Sequence, residues 1–461
     1  MKIVAIAPER LLVLNQHGPR EGDYVLYWMQ QSQRAKWNHA LEFAAARANA
    51  LNLPLVVCFG ITTYPEANAR HYTFMLEGLA ETAIALRERR IAFVFRQGSP
   101  AKVALELGRR AALLVCDRGY LRLQKAWRDE VTTRARCPVV QVESDVIVPV
   151  HFASGKHEYG ARTLRPKVMR LYEKFLRPVR AVRLRKSALG LGLRGLSLDQ
   201  PGEFIRGLKL DRTVPPVTQF FKGGTSEAER RFRKFLRVGL RDYRRNRNQP
   251  QTDDVSQMSK YLHFGQISPV WLAVMARRQK SPGNVAVFIE ELLVRRELSM
   301  NFCEFVENYD RYEVLPNWAR KSLAKHRRDR RKEIYSRAEL ESSATHDPYW
   351  NAAMTEMRVT GFMHNYMRMY WGKKMIEWSK TPEEAYATAL ALNNKYFLDG
   401  RDANSFANVA WLFGLHDRPW GEREIFGMVR YMSAAGLERK CDIRAYVEKV
   451  NEMAKQGEEE D

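Results

Sequence analysis

Several residue groups have types and spacings that could carry chemistry. In SQMS (Ser256, Gln257, Met258, Ser259), two hydroxyls and successive backbone amides precede a helical pattern. That arrangement suits a diphosphate, or simply caps the helix that follows. Glu291 and Arg295 stand four apart in EELLVRREL, so a regular helix pairs them on one face. Asn365 and Arg368 share another helical face. Trp371 and Trp378 are seven apart, about 10.5 Å of helical rise and within roughly 20° of one face. Such a pair serves equally as an electron relay or as a core stripe. Trp411, Arg418 and Trp420 combine indoles with a cation, which suits stacking on bases. Arg244, Arg245 and Arg247 in RDYRRNRNQP suit phosphates, and the run 321–333 (KSLAKHRRDRRKE) is either a second phosphate site or a solvated face. Neither GxGxxG nor GxxxxGK[ST] occurs. The five cysteines form no CxxC pair, so neither a disulfide framework nor a zinc or other metal site is expected.

These groups need elements to position them. The first 145 residues alternate apolar runs at 23–29, 53–59, 91–96, 111–117 and 138–143 with helical patterns at 33–51, 68–90, 99–110 and 120–135. Such alternation predicts a Rossmann-like, doubly wound parallel sheet of five strands. Residues 1–165 are read as this α/β domain and 166–217 as a connector, broken by Gly and by Pro215–Pro216. Residues 218–461 are read as all-α, with helical patterns at 226–245, 268–278, 285–308, 331–341, 351–378, 382–393, 402–413 and 421–434 and a frayed GEEED tail.

The chain has 461 residues and a formal net charge of +23. Residues 1–150 contribute +6, 151–250 contribute +17 and 251–461 contribute nothing. Focused positive charge predicts a polyanion, most simply nucleic acid. With 45% hydrophobic residues the chain is globular, no run is long and apolar enough to span a membrane, and no signal peptide is expected. A reduced interior fits the cysteines, cytoplasmic and nucleoid-associated in a prokaryote or nuclear in a eukaryote.

Eight segments between residues 23 and 445 resemble, in order, the class II cyclobutane pyrimidine dimer photolyases. The most specific are TGFMHNYMRMYWGKKMIEW (360–378), LNNKYFLDGRDANSFANVAW (392–411) and GLHDRPWGEREIFGMVRYMSAAGLERK (414–440). The resemblance implies light-driven repair: reduced, anionic FAD in the helical domain gives an electron to a dimer flipped out of duplex DNA, with no net redox change. It implies that the α/β domain can hold an antenna (a deazaflavin, a folate, a flavin or none) and that the protein is a monomer. By the same resemblance Tyr243, Ser256–Ser259, Arg295, Asn365, Arg368, Asp399 and Arg401 attend the FAD. Glu291 meets the pyrimidine edges, and Trp371, Trp350 and Trp378 re-reduce the flavin. Met369, Trp411, Arg418 and Trp420 join Arg244, Arg245 and Arg247 at DNA. Two departures stand out. Val294 replaces an expected tryptophan, leaving another aromatic, Trp420, to flank the dimer. Ser405 or Phe406 occupies the expected asparagine position, so Asn393 substitutes near flavin N5.

Two other readings compete. A flavin photoreceptor of the same superfamily commonly adds a long C-terminal tail, whereas here about twenty residues follow the last recognisable segment. A DNA-binding protein without catalysis would leave the indoles as core, and its preparation would be colourless.

Overall fold

Six strands form one sheet: β1 (Leu11–Val13), β2 (Tyr24–Trp28), β3 (Leu55–Ile61), β4 (Ala92–Gln97), β5 (Ala111–Asp117) and β6 (Val139–Val142). The computed structural model describes residues 6–458. The spatial order is β1-β6-β5-β2-β3-β4. β2 to β6 are mutually parallel and match the five expected runs. Every residue of β2, β3 and β5 is buried, which explains their unbroken apolar character. β1 is an addition to the expected five, antiparallel to β6 at the sheet edge. It has three residues, with Leu12 and Val13 exposed, so it carries no buried-strand pattern.

After edge strand β1 the chain enters central β2, moves out through β3 and β4, then returns to β5 and β6 on the other side. The winding direction therefore reverses between β2 and β5, where doubly wound sheets open a crevice. Asp117, at the end of β5, accepts from the backbone N–H groups of Gln30, Gln31 and Ser32 at 3.0, 3.0 and 2.9 Å. Those bonds hold the turn after β2 open, which delays the first helix to His39–Ala50, where Asn38 caps it. Separate apolar clusters cover the two faces of the sheet.

Helix Ala161–Phe175 runs through residue 165, so the boundary expected there falls inside one element. The chain after it lies along β4: Leu196 N donates to Phe95 O (2.7 Å) and Ala188 N to Arg90 O (3.0 Å). Leu184, Leu198 and Ile205 are buried against the sheet, so the connector covers an otherwise open edge.

The remaining chain is helical, with five departures from the expected pattern. The 226–245 pattern is a helix, Thr225–Arg237, followed by a 3-10 turn, Gly239–Asp242, and a one-turn helix, Tyr243–Asn246. The 351–378 pattern is two helices, Pro348–Thr360 and Asn365–Trp378, separated at Gly361 (φ 70°). The 285–308 pattern contains a π-helical stretch, Glu290–Arg295, between Pro282–Ile289 and Arg296–Phe305. Only Arg337–Glu341 of 331–341 is helical. Residues 421–433 of the 421–434 pattern form a loop, closed by Trp420 N to Met428 O (2.8 Å) and an Arg423–Gly427 bridge, and helix Ala434–Glu438 follows. Buried Phe426 and Val429 are three apart, which imitates a helical period. Helix Ile443–Glu458 packs on Pro348–Thr360 and was not apparent in the sequence. The last three residues of the tail lie outside the described residues. No helix among the described residues is long and apolar enough to cross a membrane.

Directly after the π stretch the two halves lock together. Arg296 donates to Asp145 through its backbone carbonyl (2.6 Å) and its carboxylate (2.8 Å). Glu297 accepts from Val148 N at 3.3 Å. This contact sets where Glu290 and Glu291 stand relative to the α/β domain.

Candidate active site

Helix Asn365–Trp378 carries Arg368, and the loop after helix Pro382–Tyr396 carries Asp399. They form a two-pronged ion pair at 3.0 and 3.1 Å. Arg368 Nε also donates to Met363 O, and the guanidinium lies 3.8 Å from the centroid of the Phe397 ring. Burial pushes the Asp399 carboxyl up, but the Arg368 charge and hydrogen bonds from Arg368 and Ser259 outweigh it and hold it below its ordinary value. The loop Ser256–Ser259 thus meets the pair. Gln257 holds a left-handed φ of 55°. Its side-chain oxygen accepts from Arg231 (3.3 Å) and its carbonyl from the Lys260 ammonium (3.1 Å). Lys260 is buried among Phe221 and Phe362, 3.6 and 4.5 Å from their centroids, and burial drives its pKa well down. Arg231, Lys260 and the two phenylalanines were not apparent as site residues. Arg231 sits among arginines that pair with Glu227, and Lys260 looks like any helix-start cation.

The other expected cofactor residues scatter more. Asn393 is buried on helix Pro382–Tyr396 and donates to Asn394 Oδ1 (3.1 Å). Asn365 is exposed at its helix start, one turn before Arg368. Met258 is buried in the helical core. Tyr243 packs edge-on against Phe235 and Phe288, with its hydroxyl toward Arg247. Arg401 is turned to His71 (3.0 Å) and the Asn394 carbonyl, at the cleft between the halves. Arg295 is half-exposed beside Glu290.

A line of indoles leads away from the Arg368–Asp399 pair. Trp371 lies 6.3 Å from Phe397, the ring under Arg368. Trp350 Nε1 donates to the Trp371 carbonyl (2.9 Å), and Trp350 and Trp378 are 5.7 Å apart, edge to face. All three are buried. Trp371 and Trp378 share a helix, and Trp350 enters beside them from Pro348–Thr360, a helix freed by the break at Gly361.

On another face, Glu291 pairs with Arg247 instead of the expected Arg295. The π stretch explains this correction: its wider turn aligns residues five apart, so Arg295 reaches Glu290 (3.4 Å). Arg165 occupies Glu290 as well, at 2.7 and 2.9 Å, and its bonds hold that carboxyl below its ordinary value. Val294, at the tryptophan position, is buried core. Trp411 lies 5.6 Å from the Lys373 ammonium and 5.6 Å from Arg430. Arg430 also sits 4.3 Å from Trp420, so its guanidinium bridges two indoles. Trp420 remains 39% exposed. Arg418 covers its ring at 5.3 Å. Arg244 and Arg245 are exposed, and Met369 is half-buried against the helical core. Arg430 and Lys373 escaped sequence reading because their partners lie in other elements.

A cleft opens at the carboxyl ends of β2, β3 and β5. Tyr64, Trp127 and the Gln30–Gln33 turn line one side, and His263, Phe264 and Arg401 the other. The Gln30 amide and Gln33 Oε1 are buried there without a protein partner. Orphaned donors and acceptors beside aromatic walls suit a flat, polar ligand.

A family model described as DNA photolyase matches residues 25–183. A deoxyribodipyrimidine photo-lyase of Methanothermobacter thermautotrophicus is 49% identical over 96% of this chain and 98% of its own. One from Oryza sativa subsp. japonica is 38% identical over 97% and 91%. Among solved structures, a class III photolyase from Agrobacterium tumefaciens matches with a TM-score of 0.74 at 18% identity, over 94% of this chain and 87% of that one. An archaeal photolyase from Sulfolobus tokodaii with two FAD molecules matches with a TM-score of 0.70 at 13% identity, over 92% and 89%. The chain belongs to the deoxyribodipyrimidine photo-lyase family.

Proposed function

We propose that this protein is a light-driven DNA repair lyase acting on cyclobutane pyrimidine dimers in duplex DNA. The observation that carries the reading is the Arg368–Asp399 pair, flanked by a cationic loop and backed by three indoles. That donor set fits FAD. Lys260 is a buried amine hydrogen-bonded to a carbonyl, and a diphosphate beside it and Arg231 would favour the charged form that burial disfavours. Bound and reduced FAD supplies the photo-released electron that opens the cyclobutane ring.

The chain's residues do the rest. Ser256–Ser259, Lys260 and Arg231 hold the diphosphate. Arg368, fixed by Asp399, presents a cation to the ring's polar edge and favours an anionic ring. Asn393 offers its amide nearby, and Asn365 and Tyr243 close the cradle. Glu291, held through Oε1 by Arg247, would meet the pyrimidine edges and share a proton there. Trp411, Trp420 and Met369 wall the flipped dimer, while Arg244, Arg245 and Arg418 hold phosphates. Trp371, Trp350 and Trp378 would form the electron path toward the ring when it is bound oxidised. The cleft at the strand ends takes the light-harvesting chromophore, with Arg401 in its wall. The protein works as a monomer, in the nucleoid or the nucleus according to its source.

The test is to incubate reduced protein with ultraviolet-irradiated duplex in light and in darkness and count remaining dimers. Loss only in light is the expected result. Loss of (6-4) products alone, or no loss, overturns the reading.

A further inference from the structure

The loop that carries Arg418, Trp420 and Arg430 has no regular element of its own. It is fastened to residues 322–329, within the basic run singled out in the sequence. Ser322 Oγ accepts from Met428 N (2.7 Å), and Asp329 accepts from Ile425 N (2.8 Å). A Cβ on Gly427 would meet Ser322 Oγ at 2.1 Å, so the loop approaches as closely as glycine permits. Between these two points stands His326. Its Nδ1 is 2.6 Å from Asp329 Oδ2, and its Nε2 is 3.0 Å from Glu422 Oε1, near the loop's tip.

Both ring nitrogens therefore face carboxylates. Neutral imidazole has one N–H and would leave one carboxylate against a lone pair, so only imidazolium satisfies both. The other charges facing this group are Lys325, which donates to Glu422 at 2.8 Å, and Arg331 near Asp329.

We propose that protonated His326 is a positioning residue that latches the 417–430 loop onto Ser322–Asp329, setting the pose in which Trp420 and Arg430 meet damaged DNA. The proposal rests on the reading of that loop as a DNA contact. The bonds to Glu422 and then Asp329 raise the imidazolium above the ordinary 6.5. The latch is therefore closed below that value and opens as pH rises through the raised one.

The test follows hydrogen exchange at the Ile425 and Met428 amides, corrected for intrinsic rates, and dark binding to a dimer-containing duplex. Both are measured from about pH 6 to about pH 9. Lys373, pushed down by burial to about 7, titrates in the same range beneath Trp411, so variants must isolate His326. His326→Gln should lose amide protection at every pH and bind the dimer roughly three- to tenfold more weakly. His326→Arg, which donates to both carboxylates without titrating, should keep protection and affinity and remove this part of the pH dependence. Wild-type protection in His326→Gln, or an unchanged pH profile in His326→Arg, overturns the latch. If unmutated protein fails to bind the dimer, the DNA reading fails, while amide protection still decides the latch. If one variant fails to fold, the other, compared with unmutated protein over the same pH series, still decides the latch.

Discussion

Arg368 and Asp399 are the residues on which the cradle turns. Removing one partner strands the other charge in a desolvated site. Arg368→Met should cost about 3 kcal/mol of folding stability in thermal unfolding and lose most bound flavin by absorbance. The carboxyl lies below its ordinary 3.8, so the pair's contribution is fully present above that pH and is lost only as pH falls through the depressed value. Asp399→Asn should abolish that acid-side loss, as melting curves between about pH 2 and about pH 6 would reveal. At Trp371 the expectation concerns kinetics. Trp371→Phe should slow photoreduction of oxidised flavin by more than about tenfold and leave repair by chemically reduced protein largely intact. Equal rates in the variant would reduce the indole line to core packing. These residues were readable because they sit in long, specific segments. Lys260 and Arg430 were not, since a cation's importance depends on what surrounds it after folding.

Gly361 and the π stretch do at the level of elements what single residues cannot. Gly361 ends one helix in a left-handed conformation, and its missing Cβ leaves room for Leu398, whose Cγ would lie 2.9 Å away. This break lets Trp350 come in beside Trp371. Gly361→Ala should cost roughly 1–2 kcal/mol, measured by denaturant unfolding, through positive φ and the Leu398 contact. The π stretch changes which residues align, freeing Glu291 from Arg295 for Arg247 and giving Arg295 to Glu290. Periodicity read with 3.6 residues per turn has no means of detecting a wider turn, so the expected pair was misassigned. The loop at 421–433 was misread for a related reason, as two buried aliphatic and aromatic residues three apart satisfy a helical period without a helix.

Across the whole molecule, charge and binding are tied through salt. If Arg244 and Arg245 each hold a phosphate, replacing both by Ala should flatten the slope of log affinity against log salt by about 2, with repair per bound dimer unchanged. A slope equal to wild type would place those cations off the duplex. The excess positive charge itself is not all near that face, because much of the connector runs along β4, where it shields a sheet edge. The sequence by itself determined the parallel sheet, the helical second half and the segments bearing Arg368, Asp399, Glu291 and the three indoles. Apolar runs and long motifs are local, and local patterns survive reading in one dimension. Tertiary structure alone decided the edge strand β1, the Glu291–Arg247 pairing, Lys260 and Arg231 beside the Ser256–Ser259 loop, and Arg430 between two indoles. Each depends on groups distant in sequence meeting in a desolvated place, and burial and partnership come into being only when the chain packs.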